Sequence, residues 1–197
     1  MCRGLVHGVM ETGFGGFIIL IAIRFWDAPS FCKAALSGGG SIGLILTPLL
    51  LILFQKKQLP DAQKCSFFLF CSSAFILLSS FSQTILFFTL FLVLAQIFLS
   101  QVPNLMIRIY AGVYDSSERG RKMSFNLIAS TLGGLLSSFI FGTYLDGENI
   151  DFRVVMWGMA IAALFASFFT WRMKDHIPFS QKENQLVSSL NSFLSPL

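Results

Sequence analysis

Six apolar stretches, spanning residues 5–23, 34–54, 66–80, 85–106, 125–144 and 154–171, take up most of this 197-residue chain. A helix needs about 20 predominantly apolar residues to cross a hydrocarbon core about 30 Å thick. Five stretches approach that length, and the third must be completed by residues in the interfaces. Only 12% of residues are charged, against about 25% in a soluble domain. The mean hydropathy is +0.71. The sequence predicts an all-α membrane protein of six transmembrane helices, over residues 1–172. Residues 173–197 are expected to form a cytoplasmic tail or the start of a linker.

Charge placement predicts the orientation. With the N-terminus inside, the inside segments hold Arg3, Lys56, Lys57, Lys64, Arg108, Arg119, Arg121 and Lys122, together with three cations of the tail. Only Arg24, Lys33 and Arg153 fall outside, so eleven of the fourteen Lys and Arg lie inside. Lys and Arg are retained on the cytoplasmic side, which puts both termini there, most simply in a plasma (inner) membrane. The net charge of +4 is then a product of topology and points to no nucleic-acid partner. The first stretch lacks the short apolar core and small-residue site of a cleavable signal. Cys2, Cys32, Cys65 and Cys71 have no metal-ligand spacing and read as small apolar fillers. No metal and no cofactor is expected.

The helices fall into three kinds by face. The second carries Ala35, Gly39, Gly43 and Thr47, and the fifth carries Ser130, Gly134, Ser138 and Gly142, all at four-residue spacing. Such spacing keeps small residues on one face, and small faces let helices approach closely in lipid. The third and sixth carry bulky aromatics, among them Phe67, Phe68, Phe70, Phe165, Phe168 and Phe169, which suit lipid exposure. Trp26 and Trp171 fall near helix ends, where aromatic rings prefer the interface. The first and fourth hold the polarity. His7 and Glu11 are four apart on one, and Gln96, Ser100, Asn104 and Arg108 form a stripe on the other, interrupted by Pro103. Polar groups within a span face a cavity or a partner, so His7, Glu11, Gln96, Ser100 and Asn104 are candidates for a water-accessible pathway. For His7 and Glu11 a place in the interface at a frayed N-terminus remains an equal alternative. The matching order of kinds in the two triplets is what an inverted three-plus-three repeat gives.

The loop after the fourth helix reads Asp115-Ser116-Ser117-Glu118-Arg119-Gly120-Arg121-Lys122 and leads into the small-residue fifth helix, which closes on Gly142-Thr143-Tyr144-Leu145-Asp146. Here the chain resembles the N-terminal six-helix half of a major facilitator superfamily transporter, as a divergent member. The family's signature between helices two and three is reduced to the pair Lys56 and Lys57, without its Asp-Arg-x-Gly core. Proton coupling therefore does not follow from the motifs. The resemblance implies that helices one and four line a central cavity, two and five meet a second six-helix half, and three and six face lipid. It implies secondary active transport of a small solute by alternating access, the second half being in this chain's full-length product or in a separate chain. Lys56, Lys57, Glu118, Arg119 and Arg121 are then candidate cytoplasmic latches, or simply topology signals.

Two other functional classes compete with transport. An intramembrane enzyme needs a Ser–His pair, paired Asp residues or a zinc motif within the spans, and the sequence offers none, so no catalytic residue is expected. A non-transporting multi-pass protein, such as an assembly factor or a sensor, stays open. Gly38-Gly39-Gly40 lies inside an apolar helix and lacks the Lys and Ser or Thr of a phosphate-binding loop.

Overall fold

A computed structural model describes residues 2–55, 59–147 and 151–173. Among them it holds six helical rods long and apolar enough to cross a membrane. We number them α1 to α6. Rod α1 runs Cys2–Thr12, widens into a π-helical turn at Gly13–Phe17 and continues as Ile18–Trp26. Rod α2 is Ser30–Gln55 and α3 is Asp61–Ser80. Rod α4 has two segments, Ile85–Leu99 and Gln101–Val113, while α5 is Ser116–Leu145 and α6 is Phe152–Trp171. The interruption of α4 at Ser100 has a local cause. Pro103 has no N–H to offer the carbonyl of Leu99, four residues back.

The rods extend beyond the apolar stretches. α3 begins at Asp61 and α5 at Ser116, within charged sequence. Hydropathy marks only what lies in hydrocarbon, whereas a helix continues into water until a cap stops it. Asp115 in extended conformation precedes α5, and the Asp151 carboxylate accepts from the Arg153 N–H at 3.0 Å to start α6. Between α1 and α2 the chain turns through Asp27 at φ 42°, and the Ala28 N–H reaches back to the Ala22 carbonyl at 3.1 Å. The Arg24 guanidinium donates to the Leu145 carbonyl at the last turn of α5, a favourable place for a cation.

Four pairings dominate the packing: α1 with α5, α3 with α6, α4 with α2 and α4 with α3. The α1–α5 crossing is made by glycines. A methyl built on Gly8 would stand 1.7 Å from the Ser130 carbonyl oxygen, and one on Gly133 would stand 2.1 Å from that of Leu5. The α2–α4 crossing sets Gly39 against Gln96 and Gly43 against Ile97 and Ser100.

The α3–α6 seam departs from the lipid-facing reading of those helices. Ser66 Oγ donates to the Ser167 carbonyl and Ser167 Oγ donates to that of Ser66, each at 2.9 Å. Ser73 Oγ donates to the Ala160 carbonyl at 2.9 Å. Phe68 is fully buried, while Phe67, Phe70, Phe165 and Phe168 do point outward. In α3 56% of the apolar window is buried, against 17% in α2 and 22% in α5. The uncovered surface thus belongs chiefly to α2 and α5, through residues such as Leu44, Ile45, Leu49, Leu135 and Phe139. Trp26 packs on Phe88 and Phe152, with ring centroids 6.0 and 6.2 Å away, whereas Trp171 is exposed. Cys32 and Cys65 are buried in the two apolar clusters of the core.

Candidate functional site

α5 leans on α1, and the second segment of α4 leans on α3, while α4 and α5 barely touch each other. That divergence leaves a cavity of about 380 Å³ between α1, α4 and α5. Its back is closed by Leu69 of α3 and Ala166 of α6. It lies towards the end of the bundle where α1 starts, α4 ends and α5 starts, the end that also carries Arg119, Arg121 and Lys122.

The cavity has a polar side and an apolar side. His7 on α1 and Asn126 and Ser130 on α5 contribute polar atoms. Asn126 and Ser130 are four residues apart and so share one face of α5. The Asn126 side chain packs beside Gly4, whose missing Cβ makes the room. Opposite, α4 offers Leu99, Val102, Pro103, Met106 and Ile107, with the Tyr110 ring at its end. Among the described residues no Asp, Glu, Lys or Arg lines the cavity.

The pathway candidates separate. His7 lines the cavity, whereas Glu11 is exposed and lies outside its lining, just before the π-helical turn. Gln96 is buried, and its amide donates to the Leu36 carbonyl at 2.8 Å, holding α2 to α4. Ser100 Oγ returns to its own helix at the Ile97 carbonyl, at 2.8 Å. Asn104 is half-buried and outside the lining.

The candidate latches also separate. Lys56 and Lys57 lie outside the described residues. Arg119 reaches back across the α4–α5 turn and donates to the Ala111 carbonyl at 3.2 Å and that of Tyr114 at 3.4 Å. It thus sits on the C-terminal carbonyls of α4. Glu118 and Arg121 are exposed. Of the small residues, Gly39 and Gly43 meet α4, and Gly134 meets Thr12 of α1. Ser138 is exposed, and a methyl on Gly142 would meet nothing within 4 Å.

Several residues escaped the sequence reading. Gln101 is fully buried next to Ser100, its Nε2 donating to the Gly43 carbonyl at 2.9 Å, while its Oε1 has no hydrogen-bond partner. At the basic end a buried carboxylate ties α3 to α4. Asp61 lies 3.2 Å from Lys64 and 3.4 Å from Arg108. Asn126 carried a usable signal, being one helical turn before Ser130 on a face already marked by small residues. Among the described residues no group of three or more His, Cys, Asp or Glu is placed to hold a metal ion.

The comparisons with known proteins agree with this architecture. Residues 64–196 match the family model described as Major Facilitator Superfamily. No curated protein and no solved structure matches the chain. The match covers more than half of the sequence, and the six apolar helices fit one half of such a transporter: this integral membrane protein belongs to the Major Facilitator Superfamily.

Proposed function

We propose that the chain forms the N-terminal-type six-helix half of a secondary active transporter, which moves a small solute by alternating access. The observation that carries this reading is the cavity, whose polar groups face a space between α1, α4 and α5. The packing supports an inverted repeat of two triplets. Exchanging α1 with α4, α2 with α5 and α3 with α6 turns the α1–α5 pair into α4–α2 and returns α3–α6 to itself. The uncovered faces of α2 and α5 are where a second six-helix half would dock, in the same or a separate chain. The basic end is cytoplasmic on the positive-inside rule, with both termini on that side of a plasma membrane. Rocking of one half against the other would then open the cavity to each side in turn. Arg119 serves as the latch, engaging the α4 carbonyls in one state and releasing them in the other.

Sidedness of labelling tests the reading without knowledge of the solute. The native protein carrying this chain is given one cysteine at Asn126, in the cavity lining, in a background with Cys2, Cys32, Cys65 and Cys71 replaced by serine. Sealed membrane vesicles of each orientation are then treated with an impermeant maleimide. Labelling from both faces is expected. Labelling from one face only overturns alternating access and leaves a non-transporting membrane protein.

A further inference from the structure

We infer that the cavity between α1, α4 and α5 takes an uncharged, largely apolar solute with one or two hydrogen-bonding groups. This rests on the reading of that cavity as the solute site. Its volume of about 380 Å³ falls at the small end of the range for ligand sites, about 300–1,000 Å³.

The absence of charge from the lining decides the class. Among the described lining residues an organic anion would find no Arg or Lys, and an organic cation no Asp or Glu. Four nearby cations among the described residues are engaged elsewhere, Lys122 over the Tyr114 ring at 5.7 Å from its centroid. Lys64 and Arg108 stand on Asp61 at the α3–α4 contact, and Arg119 sits on the α4 carbonyls. A charge brought into an apolar bundle without a partner pays the full loss of its hydration. A polyhydroxylated solute fares little better, since the apolar wall of α4 would leave most of its hydroxyls unpaired.

The two-sided lining then orients the occupant. A hydrogen-bonding group meets His7, Asn126 and Ser130, and the apolar body lies on Val102, Pro103 and Met106. Met10, Met106 and Met123 line three different parts of the wall. Their unbranched, polarisable side chains adapt to apolar shapes, so the site selects more by polarity than by outline.

Two probes with one ring skeleton test this. Tritiated N-phenyl-naphthylamine is neutral, and anilinonaphthalene sulfonate adds a single fixed negative charge. Binding to the purified native protein is measured by scintillation proximity. We expect saturable binding of the neutral probe, with the sulfonate at least tenfold weaker as a competitor. Leu127→Trp, at the exposed rim, and Met106→Trp, within the wall, each lower the affinity at least tenfold. The rim variant keeps the test valid where the wall variant fails to fold. Equal competition by the sulfonate, or saturable binding indifferent to Leu127→Trp, overturns the inference. Absence of saturable neutral-probe binding also overturns it, and two-sided maleimide labelling in that same preparation leaves the transport reading standing. Neutral-probe binding with one-sided labelling does the reverse, upholding the ligand class and overturning transport.

Discussion

Gly8 on α1 lies against the carbonyl oxygen of Ser130 on α5 so closely that a single methyl would stand 1.7 Å from it. Because the obstacle is backbone, no rotamer change relieves the contact. Gly8→Ala must push the two helices apart along a crossing that Gly133 and Gly134 also share. Overpacking of this kind typically costs about 1–3 kcal/mol, and a backbone clash lies at or above the top of that range. The expected outcome is a large fall in the melting temperature of the detergent-solubilised protein. Gly142→Ala is the matched control, because its methyl meets nothing within 4 Å. Equal melting temperatures for the two variants would remove the close crossing.

That crossing shows what the sequence disclosed and what it hid. The stripe Ser130 and Gly134 marked α5 as a packing helix, yet of its upper members Ser138 is exposed and a methyl on Gly142 would meet none of the described residues within 4 Å. The answering glycines, Gly4 and Gly8, were overlooked because His7 and Glu11 drew the reading of that segment towards polarity. The serine seam of α3 and α6 was hidden in the same way by phenylalanines. A helix presents two faces, and composition alone averages them. Gln96 shows a different limit: its amide donates to the Leu36 carbonyl, and an amide in lipid satisfies itself equally well on a neighbour's backbone or in a cavity, which spacing does not distinguish.

Gln96 offers a direct prediction. Its amide joins α4 to the Leu36 carbonyl of α2, a rod with few other attachments. Hydrogen bonds between membrane helices average about 0.6 kcal/mol, with a maximum of about 1.7. Gln96→Leu is expected to lower stability within that range and to leave binding in the cavity unchanged. Gln101→Met likewise removes a donation to α2, at the Gly43 carbonyl, but with it a buried acceptor that has no partner, so its loss should be smaller than that of Gln96→Leu. Parallel thermal melts and probe titrations of the two variants check both statements. Loss of probe binding in Gln96→Leu would return that residue to the pathway.

Arg119 and Arg121 differ although only Gly120 separates them. Arg119 donates to two carbonyls at the end of α4, whereas Arg121 is exposed. A cation at a helix C-terminus contributes about 0.3–1 kcal/mol. That is too little to lock a conformation and enough to bias one that is finely balanced. Arg119→Gln is therefore expected to keep the fold while shifting the ratio of inside to outside labelling at Asn126 by about two- to fivefold, as roughly 1 kcal/mol implies. Arg121→Gln should leave the ratio unaltered. An identical ratio in both variants would reduce Arg119 to a topology signal.

Asp61 is the one acid of a buried cluster with two cations, lying 3.2 Å from Lys64 and 3.4 Å from Arg108. The three residues connect the start of α3 to the second segment of α4, the segment that forms one wall of the cavity. Breaking a buried ion pair by removing one partner typically costs about 3–5 kcal/mol, because the charge left behind is uncompensated. Asp61→Asn takes this partner from Lys64, while Arg108 is 24% exposed and keeps some access to solvent. The effect is expected at the lower end of that range, as a marked loss of folded protein in detergent. Replacing all three by neutral residues, Asp61→Asn with Lys64→Met and Arg108→Met, should recover most of the loss, since the charges are removed together with their partner. Recovery would identify the cluster as a neutralising strut holding α3 to α4. If the triple variant proved as unstable as Asp61→Asn, the damage would come from losing the negative charge of Asp61 in the first turn of α3, and the ion pairs would carry little of it.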